Sequence, residues 1–190
     1  ENLRLRGELA AVRTGIIIHH NDPAKIIQEA NEALTYLSEE DLIFRARVYM
    51  ALGTAYAYNN EFQKALETYE LGKDLALRAK NPFLATANIE LITELLVYYL
   101  GRLNNATQNL SQIMELGRKE DGAHQTFTGA AHVLLAEINL EWNNFEVAAR
   151  YLGKGFELLQ LGGIGYILTH CYCAAARITL AFQEIDRAIE

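Results

Sequence analysis

The side chains best suited to chemistry in this sequence are its histidines and cysteines. Cys171 and Cys173 follow His170, and His19 and His20 are adjacent. A structural zinc site needs four ligands that converge on one point, whereas neighbouring residues of a helix point about 100° apart. The apolar surroundings of the two cysteines predict buried free thiols. We therefore expect no metal ion in this chain.

Motifs for nucleophilic catalysis or nucleotide binding are also missing from the sequence. It contains no Gly-x-x-x-x-Gly-Lys-Ser/Thr loop, so it does not bind ATP by that route. No Ser/His/Asp or Cys/His set stands out. We expect the chain not to be an enzyme.

Composition limits the possible partners. The 190 residues are 51% hydrophobic and carry a net charge of −7. Binding to nucleic acid needs clustered Lys and Arg, but no run of basic residues here exceeds two. No apolar run reaches the roughly 18 residues needed to span a membrane. We expect a cytoplasmic protein that contacts neither nucleic acid nor membrane directly.

A pattern of a large apolar residue followed by alanine recurs about every forty residues, which is typical of a helical solenoid. Its four occurrences are Phe62/Ala65/Tyr69, Leu103/Ala106/Leu110, Phe145/Ala148/Leu152 and Ile185/Ala188. Each period predicts two helices, and turn residues mark the joints. The predicted helices are 3–19 with 23–37, 41–58 with 61–79, 82–100 with 102–119, 124–142 with 144–161, and 164–182 with a truncated partner from 184.

The alanines indicate how the helices of a pair pack. Two helices approach closely only where small residues face each other. Gly53 and Ala65 fit that requirement, whereas Glu94 falls where other periods carry a small residue. Either the helix is rotated by one residue there, or Glu94 has a partner.

Leu52-Gly53-x-x-Tyr56, Ala65 and Tyr69 resemble a tetratricopeptide repeat, in units longer than the usual 34 residues or so. Four longer sequence segments resemble the superhelical sensor region of MalT-like, LuxR-type ATP-dependent transcriptional regulators. They are LRGELAAVRT at 5–14, ALGTAYAYNNEFQKALETYELGKDLALRAKN at 51–81, LGRLNNA at 100–106 and HVLLAEINLEWNNFEVAARYLGKGFEL at 132–158. The residues expected at structural repeat positions are Gly53, Tyr56, Ala65, Tyr69, Ala106, Phe145, Ala148 and Ala188.

The resemblance implies an all-α fold, a right-handed superhelix of antiparallel helix pairs. Residues 1–190 would form one repeat domain of four and a half to five pairs, as a fragment of a larger protein. Such regulators place a nucleotide-binding module before the superhelix, so ATP is expected only in that absent module. The implied function is to bind a small-molecule inducer, or a peptide or protein, and to control self-association. The alternative is a generic tetratricopeptide scaffold that binds a peptide or protein partner.

In such superhelices the first helix of each pair lines the concave face. Aromatic rings beside charged groups on that face could hold a sugar or a peptide; the alternative is that the rings are half-buried wall residues and the charges are solvated. The positions carried over are Glu8, His19, Arg47, Tyr58, Asn88, Tyr98, Tyr99, Glu137, Glu141, His170 and Arg177.

Overall fold

The computed structural model describes residues 2–18, 22–120, 122, 124–162 and 165–181. This part of the chain is all-α, with helices packed in neighbouring pairs. The only β pairing in it is an isolated bridge between Arg118 and His124. The helices are α1 (Asn2–Ile17), α2 (Pro23–Tyr36), α3 (Leu42–Tyr58), α4 (Phe62–Arg78), α5 (Pro82–Glu94), α6 (Leu103–Leu116), α7 (Gly129–Glu141), α8 (Phe145–Gly162) and α9 (Gly165–Ala181).

These bounds agree closely with the predicted pairs, because the same tight turn marks several joints. Asn60, Lys80 and Asn143 each adopt a positive φ, between 53° and 61°, directly after a helix. The next amide then donates to a carbonyl five residues earlier, as Glu61 does to Tyr56 at 2.9 Å. This left-handed closure satisfies carbonyl groups at the helix end and lets the next helix begin at once.

The chain divides into two compact units, Glu1–Tyr99 and Leu100–Glu190. The first unit contains α1 to α5 and the second contains α6 to α9. In the second unit α7 is buried on all sides from Gly129 to Leu140. A helix that is apolar around its whole circumference is typical of such a central position.

Small residues form the contacts between paired helices. An ideal Cβ on Gly53 would lie 2.6 Å from the ring of Tyr69, so α3 and α4 can be this close only with glycine there. Ala65, Ala106 and Ala148 have no exposed surface. The expected small-residue contact is therefore present in three successive periods, while Ala188 lies outside the described residues.

The unusual position Glu94 coincides with a change of helix type. The α-helix α5 ends at Glu94 and continues as one π-helical turn over Leu95–Tyr99. A π turn accommodates one extra residue, which rotates everything after it relative to a regular helix. The charge of Glu94 also acts on Tyr69 and Glu90. Of the two expected alternatives, the structure shows the rotated helix.

The structure corrects the expectation that both cysteines are buried. Both are free thiols, but Cys171 is buried and Cys173 is exposed. Residues two apart in a helix point about 200° apart, so one face of α9 cannot bury both. Burial, and then the negative charge of Glu137, raise the pKa of the Cys171 thiol.

The Gly53 contact leads to a stability prediction. We expect Gly53→Ala to lower the free energy of unfolding by roughly 1–3 kcal/mol, because the added methyl overlaps the Tyr69 ring. Gly15→Ala in α1 is the control, because an ideal Cβ there meets no neighbouring atom within 4 Å. That variant gains about 0.5–1 kcal/mol from helix propensity. Urea denaturation of both variants checks the prediction, and equal changes in the two would contradict it.

Candidate functional site

The first helices of three successive pairs surround an open groove in the first unit. The groove has a volume of about 440 Å³, which lies in the range of small-molecule sites. Its lining residues are Ala11, Val12 and Gly15 of α1, Ile18 directly after it, Phe44, Arg47, Met50 and Ala51 of α3, and Asn81, Phe83, Leu84 and Ala87 at the start of α5.

The walls of this groove, which we call the α1/α3/α5 groove, are mostly apolar and partly open to solvent. Val12 is 49% exposed and Phe83 is 58% exposed. Space beside Gly15 is empty to at least 4 Å from an ideal Cβ. A ligand that filled this space would remove apolar surface from water, which is worth about 25 cal/mol per Å².

Arg47 is the single charged residue among those that line the groove. Its side chain is exposed, and it forms no hydrogen bond or ion pair with any residue that the structure describes. Two other arginines of the same unit are engaged: Arg45 donates to the carbonyl oxygen of Leu37 at 3.3 Å, and Arg13 donates to Glu29 at 2.7 Å. The fork of Arg47 is therefore available to an anionic group at the groove.

A second cluster in the first unit combines aromatic rings with the Glu94 carboxylate. The rings of Phe62 and Tyr99 have centroids 4.8 Å apart, and Tyr58 is 46% exposed. The Tyr69 hydroxyl beneath them forms a hydrogen bond of 2.9 Å with Thr54. Burial raises the pKa of Tyr69, and the nearby Glu94, Tyr58 and Tyr99 raise it further. The cluster offers ring faces on which a planar group could stack.

The remaining predicted site residues have different environments. Asn88 is fully buried, with its amide nitrogen donating to the carbonyl oxygen of Leu84 at 2.9 Å. Its carbonyl oxygen fills the space above Gly72, where a Cβ would lie 2.3 Å away. Asn88 therefore serves the packing of α4 against α5 and does not line an open face. Glu137 is also interior, at 6% exposure.

Two predicted residues of the second unit bind each other. The Arg177 guanidinium of α9 donates to Glu141 of α7 at 2.6 Å, and half of each side chain is exposed. Tyr98 is 45% exposed, and Glu8 accepts a hydrogen bond from Arg4. His19 and the side chain of His170 lie outside the described residues. Of the predicted residues whose side chains the structure describes, only Arg47 lines the groove.

Sequence reasoning missed most of the groove, including Val12, Gly15 and Phe83. One signal was available: α1 is apolar on two faces. Its buried face includes Ala10, Ala11 and Ile17, whereas Leu5, Leu9, Val12 and Ile16 are 49–60% exposed. The spacing of the exposed residues, four, three and four, marks one continuous stripe along the helix.

Comparison with known proteins agrees with this architecture. Residues 7–190 match the family described as the MalT-like TPR region. The chain belongs to this family. No curated protein matches it.

A solved structure shares the fold of this MalT-like TPR region. It is the crystal structure of BtubC (BKLC) from P. vanneervenii, with a TM-score of 0.64 and 12% sequence identity. The match covers 99% of the present chain and 87% of the other. At this identity the similarity concerns the fold alone.

Two structural features are missing from the described part of the chain. Among the described residues no helix is both long and apolar enough to cross a membrane. The same residues contain no group of three or more His, Cys, Asp or Glu side chains arranged to hold a metal ion.

A buried carboxyl group on α5 makes the stability of this region depend on pH. Burial, and then the charge of Glu94, raise the pKa of Glu90 from 4.5 to about 8, and its Oε1 has no hydrogen-bond partner among the described residues. The folded protein therefore keeps a proton that the unfolded chain loses. Unfolding releases this proton between about pH 4.5 and 8, so this group lowers stability as the pH rises through that window.

We expect Glu90→Gln to be about as stable as the parent at pH 4.5 and more stable by a few kcal/mol at pH 8. Each unit of pKa shift corresponds to about 1.4 kcal/mol. Denaturant titrations across this pH range measure the difference, and Glu39→Gln at an exposed position is the control. A constant difference between Glu90→Gln and parent at every pH would contradict the assignment.

Proposed function

We propose that this domain is an effector sensor whose ligand is a small molecule with an apolar body and one anionic group, bound in the α1/α3/α5 groove. The observation that supports this most directly is Arg47, an uncompensated cation at the edge of an apolar groove. Family membership supports a helical sensor or protein-interaction domain. We further propose that it acts in the cytoplasm within a LuxR-type transcriptional regulator.

The groove chemistry favours a carboxylate over a neutral ligand. Arg47 presents a planar fork that matches two carboxylate oxygens, and a hydrogen bond to a charged group contributes about 1.5–3 kcal/mol. The apolar walls contribute affinity but little orientation. A ligand that binds both Arg47 and the apolar walls must carry an alkyl or aromatic portion of a few carbon atoms beside its acid group.

The position of the groove also suggests how ligand binding changes the arrangement of the helices. Its lining comes from α1, α3 and α5, the first helices of three successive pairs. A ligand that contacts all three helices binds most tightly to one particular arrangement of them. Its binding therefore shifts the population of the domain toward that arrangement. We propose that this shift controls self-association of the regulator.

The second candidate function is a scaffold for a peptide or protein, favoured by the exposed stripe on α1. Val12 belongs both to the stripe and to the groove. From Leu5 to Ile16 the stripe is about 16 Å long, at about 1.5 Å per residue. An amphipathic helix with an acidic residue would cover the stripe and reach Arg47.

The sensor proposal predicts binding that depends on the Arg47 charge. A thermal-shift screen pairs aliphatic and aromatic carboxylic acids with their primary amides. We expect an acid, and not its amide, to raise the melting temperature with the logarithm of its concentration. We expect Arg47→Gln to weaken that binding by about tenfold or more. Arg78→Gln, which removes an exposed arginine of α4, should leave it unchanged; equal loss in both variants would exclude the groove.

A variant that fills the groove tests the location independently. Gly15→Leu places a side chain into the empty space and also favours helix. We expect it to raise thermal stability and to abolish binding of the acid found in the screen. Gly153→Leu in α8 has similar free space at its Cβ and should raise stability with binding intact. Two results together would favour the scaffold. The acid would still bind to Gly15→Leu, and the stripe variant Leu9→Glu would no longer capture an amphipathic acidic peptide.

A further inference from the structure

The second unit contains a pocket on one face of α8, away from the residues considered so far. Val147, Arg150, Tyr151 and Lys154 recur at helical spacing, so they form one stripe. With His132 of α7 they line a cavity of about 280 Å³. We call these five residues the basic pocket. The core side of α8 is formed by other residues, such as Ala148 and Leu159.

The basic pocket concentrates positive charge in a protein whose net charge is −7. Arg150 is exposed and forms no hydrogen bond or ion pair with the described residues. Lys154 is paired with Glu157 at 2.9 Å, but both side chains are about half exposed. Such a surface pair contributes little and exchanges easily for another anion. The ring of His124 lies 5.3 Å from that of His132.

His132 completes the wall of the pocket. Its Nδ1 lies 2.9 Å from the carbonyl oxygen of Thr128, and since a carbonyl only accepts, Nδ1 carries the proton. Burial lowers the pKa of His132, and the positive charges of His124 and Lys154 lower it further, although the Thr128 contact opposes them. The neutral ring therefore keeps Nε2 as a hydrogen-bond acceptor, so the attraction for an anion comes from Arg150 and Lys154 and not from this ring. The Tyr151 ring lies 6.2 Å from that of His132 and lines the same pocket.

We propose that the basic pocket binds a phosphate group, either inorganic phosphate or a phosphate monoester. The guanidinium of Arg150 and the ammonium of Lys154 project from positions four apart, about 6 Å between their Cβ atoms. A phosphate near pH 7 carries a charge of about −1.5 to −2 on three terminal oxygens. It satisfies both cations at once, whereas a carboxylate has one charge and two oxygens. This inference is independent of the groove and of the ligand proposed for it.

Titration with two probes tests this proposal and distinguishes the two sources of phosphate. Inorganic phosphate and phenyl phosphate are each added at constant ionic strength maintained with chloride, and binding is followed by isothermal calorimetry and by the ³¹P shift. We expect saturable binding of both, with dissociation constants on the order of 1 mM or below. Tighter binding of phenyl phosphate indicates a monoester ligand, and equal or tighter binding of inorganic phosphate indicates the free ion. Benzoate should bind at least tenfold more weakly than phenyl phosphate.

Matched variants locate the binding. We expect Arg150→Gln combined with Lys154→Gln to weaken phosphate binding at least tenfold, and Glu157→Gln to strengthen it severalfold because it releases Lys154. Arg78→Gln combined with Lys25→Gln makes the same change in net charge at exposed positions of the first unit, and should leave affinity unchanged. Arg150→Lys keeps the charge without the fork and should give an intermediate loss even if the double variant folds poorly.

Three results would overturn the proposal. The first is the absence of saturable binding of either probe up to about 10 mM. The second is an equal loss of affinity in the two double variants, which would show that the net charge alone attracts phosphate. The third is unchanged affinity in both Arg150→Lys and Glu157→Gln.

Discussion

The close approach of paired helices at small residues is the constraint on which the rest of this structure depends. At Gly53 the backbone of α3 meets the ring of Tyr69, with no room for a methyl group. Ala65, Ala106 and Ala148 are likewise fully buried. Each pair is thereby held at a short and defined distance, and the side chains that do not face a neighbouring helix are left on outward surfaces. Arg47 and the apolar residues around it lie on such outward surfaces.

The repeat made the fold predictable. Turn residues such as Asn60 and Asn143 mark joints that the structure places where the sequence indicated, since left-handed backbone favours asparagine. The departure at Glu94 was also visible, and a rotated helix was one of its two expected consequences, but the sequence did not indicate that a π turn produces the rotation. A π turn is decided by how neighbouring side chains compete for space, and one helix's sequence does not contain that information.

The candidate site was much less predictable, for a geometric reason. Positions transferred from the repeat pattern identify which helix a residue lies on, but not how far that helix is rotated about its axis. Arg47 lines the groove, whereas the side chain of Asn88 packs inward against Gly72. Arg150 and Lys154 were missed because the repeat pattern points to the first helix of each pair, and α8 is a second helix. Their separation of four residues was visible on a predicted helix, but the cavity beside them also depends on His132 of α7.

The two units use their helices differently, and this determines where each can bind a ligand. In the first unit, α1, α3 and α5 leave space between them, so the groove forms on first helices. In the second unit the first helix α7 is buried from Gly129 to Leu140. The basic pocket of this unit lies on the second helix α8, where polar and charged side chains can stay hydrated. An apolar groove with one cation and a small pocket with several cations select different chemistry: the first selects a hydrophobic acid, and the second selects a compact, highly charged anion. Since the linings share no residue, substitution in one leaves the other intact, and the two proposed sites can be separated experimentally.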